Sequence, residues 1–128
     1  MIVVGVVVAA LVAFLASSGY YLAVTPVERR VLGAAALDRG RPGPAKAIAE
    51  LLRTALVATV FGFLAARAGL QPLPGSLALA VILWAGFPLV LLSGSVLWER
   101  VPPVTAAMHA GDWLVKLLLI AAITGLLH

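Results

Sequence analysis

The stretch SLALAVILWAGFPLVLLSGSVLW, from Ser76 to Trp98, contains no ionisable side chain. As an α-helix its 23 residues reach about 35 Å at 1.5 Å per residue. That is enough to cross a hydrocarbon core about 30 Å thick. Pro88 lies inside the stretch. Its ring clashes with the carbonyl of Trp84 and it donates no N–H, which predicts a kink between the two.

Turns bound this span on both sides. Gln71-Pro72-Leu73-Pro74-Gly75 precedes it, and Glu99-Arg100-Val101-Pro102-Pro103 follows it. The flanking apolar runs predict further spans at residues 45–69 and 103–127, and the chain opens on another at residues 2–22. A signal peptide ending near Ala16-Ser17-Ser18 is the competing reading of that first run, but no Lys or Arg precedes it. Residues 25–44 form the long loop, in which Val27 to Leu37 reads as a short helix in the head-group region, opened by Pro26 at its first turn.

The composition agrees. Of 128 residues, 63% are hydrophobic and 11% charged, against roughly 45–50% and 25% in soluble domains. Four spans of about 20 residues close the arithmetic. The expected fold is therefore an all-α integral membrane protein, one four-helix transmembrane bundle with a kinked third helix.

Nine Lys and Arg against five Asp and Glu leave a net charge of +4. In a membrane protein this excess reads as an orientation signal rather than a nucleic-acid face. The first loop and the adjoining start of the second span carry Arg29, Arg30, Arg39, Arg41 and Lys46, whereas Arg67 alone lies near the second loop and Arg100 alone in the third. The first and third loops are expected in the cytoplasm, with both termini on the other side of the bacterial inner membrane. The same basic loop suits anionic lipid head groups. The chain has no cysteine, which excludes disulfides, thiol catalysis and thiolate metal sites.

The fourth span holds the unusual feature. Thr105, His109, Asp112 and Lys116 follow a 4-3-4 spacing, so they share an arc of roughly 60° on one helix face. Asp112 and Lys116 form an i, i+4 pair in the favourable acid-first order. Ionisable groups at such depth are expensive in lipid, so the stripe is expected to face the bundle interior or a wet cavity. A structural ion pair and a proton or substrate pathway compete as its role. Arg53 and Thr54 of the second span, Ser17 and Ser18 of the first and Ser93 and Ser95 of the third belong to the same slab of the bilayer, while Lys116 would mark its far, drier end. His109 and Asp112 are too few for a metal site, and no nucleophile accompanies them, so neither a metal, a cofactor nor an enzyme is expected.

Small residues recur every four positions, as Gly5, Ala9, Ala13 and Ser17 in the first span and Ala58, Gly62 and Ala66 in the second. Such faces let helix backbones approach closely. Trp98, Tyr20 and Tyr21 suit the inner membrane interface, whereas Trp84 and Trp113 sit deeper and read as packing residues.

Trp84-Ala85-Gly86-Phe87, Glu99-Arg100 and His109-Ala110-Gly111-Asp112-Trp113-Leu114 resemble a bacterial membrane-protein family, domain of unknown function 1761. Its members tend to show a W-x-G-F element in the third span, then an acidic or polar turn, then a His- or aromatic-containing segment opening the fourth. Gly19-Tyr20-Tyr21 is similar to the family's Trp-Tyr pair after a Gly. The resemblance is best over the last two spans. It implies four spans and a family-like motif at Trp84, Gly86, Phe87, Glu99, His109 and Trp113, and it supplies no reaction. The resulting expectation is a structural or partner-binding bundle that self-associates or meets a membrane-protein partner. The alternatives are a small transporter or proton-linked permease subunit using the polar stripe, and a lipid-head-group binder.

Overall fold

A computed structural model describes residues 2–33 and 43–127. Five helices follow in order: α1 (Ile2–Leu32), α2 (Pro44–Ala68), α3 (Gly75–Gly86), α4 (Pro88–Trp98) and α5 (Pro103–Leu126). The pieces α3 and α4 make one bent span, so four stretches are long and apolar enough to cross a membrane. The protein is an all-α, multi-pass membrane protein. Each boundary has a local cause. Proline opens α2, α4 and α5 at the first turn; in α2 and α5 its missing N–H deprives no carbonyl of a preceding turn. Gly69 closes α2 in the left-handed conformation, with φ 71°, a conformation in which glycine meets no Cβ penalty.

The kink falls where Pro88 directs it. Helix α3 stops at Gly86, and Phe87 takes φ −121° and ψ −77° before α4 begins. The Phe87 amide still reaches Leu83 O at 3.0 Å, so the break is confined to the residue before proline, which is steered away from the α region.

The first span departs from expectation. No helix ends at Leu22, and Val27 to Leu32 is not a separate interfacial helix, because α1 continues through Pro26 for 31 residues. Thr25 Oγ1 donates to Tyr21 O at 2.6 Å beside the proline, and Glu28 is buried against α5 with Thr105 donating to its carboxylate at 2.6 Å. That long-range anchor outweighs the local breaker. Thirty-one residues make about 46 Å of helix, some 16 Å more than the apolar core. Gly5 near its start lies beside Thr124 and Leu127, and Glu28 near its end meets Thr105, so α1 runs alongside α5 over nearly the whole of both helices. The rest of the expected loop, from residue 34 to 42, lies outside the described residues.

Helix α5 is the centre of the bundle, with 44% of its apolar window buried against 11% for the bent span. The seam between helices is built from small side chains. Ala9, Ala13, Ala58 and Ile120 are fully enclosed and Phe61 nearly so. The first-span stripe of Gly5, Ala9, Ala13 and Ser17 is buried throughout. In α2 the buried face runs through Ala58, Phe61, Gly62 and Ala65, while Ala66 is exposed. Seven residues return a helix to within about 20° of the starting face, but eight overshoot by about 80°, so Ala65 replaces Ala66.

Candidate functional site

The polar stripe of α5 meets a second polar stripe on α1. Ser17, Tyr21 and Glu28 recur at four and seven residues, which places them on one helix face. Because the two helices run antiparallel, the stripes pair as a ladder. Thr105 Oγ1 donates to Glu28 at 2.6 Å, Tyr21 Oη and His109 Nδ1 lie 2.6 Å apart, and Ser17 Oγ donates to Asp112 at 2.6 Å. Tyr20 Oη adds a bond to Met108 O at 2.7 Å. This bond relies on Gly111, since a Cβ there would meet the Tyr20 ring at 3.2 Å and collide with its hydroxyl.

The expected Asp112–Lys116 pair is present. Their charged atoms lie 3.3 Å apart, with side chains 5% and 9% exposed. The lysine leans toward its own N-terminus, as helical side chains do, and so meets the aspartate one turn back. Its ammonium also lies 4.0 Å from Glu50 of α2 and 5.2 Å from the centre of the Trp113 ring. Trp113 thus does more than pack.

Glu50 was not among the expected site residues. It sits three residues before Arg53 and pairs with it, and its own carbonyl accepts from Thr54 Oγ1 at 2.8 Å. The i, i+3 acid–base spacing on the second span is the signal that could have found it. Arg53 itself does not join the ladder; its side chain is 69% exposed. Between α2 and α5, a recess of about 160 Å³ is lined by Glu50, Arg53, Leu56, Val57, Trp113 and Lys116.

Other expected members of the polar slab stay out of it. Ser18, Ser93 and Ser95 bond carbonyls of their own helices, because a hydroxyl with no neighbour across the interface turns back on its own backbone. Of the family-like motif, Trp84 Nε1 donates to Ala110 O at 2.8 Å, which ties the bent span to α5. Phe87 and Gly86 are exposed at the bend and Glu99 is exposed after α4. Of the basic loop residues, Arg29, Arg30 and Lys46 are exposed, while Arg39 and Arg41 lie outside the described residues. Among the described residues no group of three His, Asp or Glu is placed to share a metal ion.

The ladder stops partway through the bundle. Beyond Lys116 the buried residues of α5 are Leu117, Ile120, Ala121 and Gly125, and those of α1 toward its start are Ala13, Ala10 and Ala9. The geometry therefore cross-links α1, α2 and α5 at one end of the bundle and leaves α1 and α5 packed through apolar side chains at the other, where Ser76 of α3 is a buried polar residue beside Gly125.

No curated protein and no solved structure matches the chain. A family model does, and it extends over all four spans rather than the last two alone: the chain belongs to the family described as "Protein of unknown function (DUF1761)", matched over residues 4–125.

Proposed function

We propose that the protein is a non-catalytic, self-associating bundle of the bacterial inner membrane that works by binding a partner within the bilayer. One observation carries this reading. Thr105, His109, Asp112 and Lys116 are each bonded to a side chain of the same protein, and the ladder ends where α1 and α5 pack through apolar side chains. A conduction path needs polar groups that exchange partners from one membrane face to the other. A ladder satisfied within the chain acts instead as a clamp between helices. Helix α4 supports the binding role, since none of its residues is buried and its outer surface is available to a second copy.

The test combines flux and stoichiometry. Purified protein in vesicles is expected to pass protons and small solutes no faster than empty vesicles. In lipid nanodiscs, native mass spectrometry is expected to show more than one copy. Flux above the empty-vesicle level that disappears in His109→Gln at matched folded protein would establish the transport alternative, and a single copy per disc would remove self-association.

The basic residues near the ends of α1 and α2 support an orientation with both termini on the non-cytoplasmic side. Because the chain has no cysteine, Gly40→Cys gives a clean probe. An impermeant thiol reagent added to intact cells is expected to leave it unlabelled and to react after the membrane is opened. Labelling in intact cells reverses the orientation.

A further inference from the structure

We infer that the recess between α2 and α5 is a phospholipid site that takes a zwitterionic phosphate–amine head group, with the phosphate on Arg53 and the amine on Glu50. Three charged groups line it, Arg53, Glu50 and Lys116. Arg53 pairs with Glu50, and Lys116 lies 4.0 Å from Glu50 and is balanced from behind by Asp112 at 3.3 Å. With Asp112 included, the charges sum to zero. The Lys116–Asp112 pair is enclosed, whereas Arg53 and Glu50 have side chains 69% and 44% exposed. What the recess offers outward is therefore one cation beside one anion.

Depth selects a lipid as the occupant. Arg53 lies nine residues past the start of α2 at Pro44, about 13 Å along the helix. A guanidinium has five N–H donors, and among the described residues Glu50 is the hydrogen-bond acceptor that Arg53 reaches. Hydrocarbon supplies none for the others, so the side chain extends toward the head-group level. The acceptor met there in a bilayer is a phosphate oxygen, which matches the guanidinium fork. Glu50, at the same rim, then complements an ammonium group.

The rest of the recess fits the remainder of the molecule. Its volume of about 160 Å³ is roughly ten times the ~15 Å³ that one water needs on the same measure. That holds a phosphate and its ester arms and leaves the acyl chains outside. Leu56, 65% exposed, and Val57 continue the wall as an apolar strip.

Native mass spectrometry of protein exchanged into mixed micelles tests the site. The micelles carry equal amounts of phosphatidylethanolamine, phosphatidylglycerol and phosphatidylcholine. The parent is expected to retain phosphatidylethanolamine preferentially. A charged hydrogen bond of ordinary strength corresponds to roughly tenfold in affinity, so Arg53→Gln is expected to retain about tenfold less. Leu56→Trp, which fills the recess from an exposed position, is expected to lose retention without loss of thermal stability. Soluble phosphoethanolamine in tenfold excess is expected to displace no lipid. Equal retention of the three lipids, or undiminished retention in both variants, would overturn the assignment. Displacement by soluble phosphoethanolamine would overturn the lipid as the occupant, and a second protein copy held through Arg53 in place of lipid would make the recess a protein interface.

Discussion

Asp112→Ala and Lys116→Ala are each expected to lower the stability of the detergent-solubilised protein by about 3–5 kcal/mol. Both side chains are almost fully enclosed, so removal of either leaves a charge where solvent cannot screen it. The two single variants differ in what remains. Without Lys116, the aspartate keeps the Ser17 hydroxyl at 2.6 Å. Without Asp112, the lysine keeps Glu50 at 4.0 Å and the Trp113 ring. The double replacement Asp112→Leu/Lys116→Met strands neither charge and conserves much of the volume, so it is expected to be milder than either single change. Thermal unfolding followed by circular dichroism decides the matter. Single variants as stable as the parent would show that the pair does not hold the bundle together.

Ala13→Leu is expected to be the other severe change. Ala13 is fully enclosed, with Ala9 one turn before it equally so. In a membrane, helices are held by close packing rather than by exclusion of water, and an added isobutyl group forces backbones apart at about 1–3 kcal/mol or more. Leu15 is 68% exposed on the opposite side of the same helix, and Leu15→Ala is expected to change little. Unfolding midpoints and the monodisperse fraction on size exclusion should separate the two variants. Equal behaviour would mean that the small-residue seam is not a tight contact.

The legibility of the site follows the range of its interactions. The α5 stripe was readable because four polar residues at 4-3-4 spacing fall on one face of any straight helix. The position of the bend was readable for the same reason, since Pro88 and the carbonyl it displaces are four residues apart. Glu28 was not readable as a buried group, because it follows a proline among arginines and only its pairing with Thr105, 77 residues away in sequence, brings it inside. Tyr20 and Tyr21 looked like interfacial aromatics, and their hydroxyls prove to be ladder members because α5 lies beside them. Glu50 reaches Lys116 only through the placement of α2 against α5.

What the amino-acid sequence determined by itself is the set of properties that depend on neighbours along the chain. These are the number of spans, the bend at Pro88, the faces carrying polar and small residues, and the Asp112–Lys116 pair one turn apart. Helix periodicity and the cost of placing charge in hydrocarbon impose them whatever the packing. The tertiary structure decided the rest: that α1 runs on through Pro26, that its polar face pairs with that of α5 in antiparallel register, and that Glu50 and Arg53 open a recess beside Lys116. The reason is physical. A lone proline or a lone carboxylate has a local penalty, and only a partner supplied by another helix can exceed it. The partner's position follows from the docking of whole helices, which no window of sequence contains.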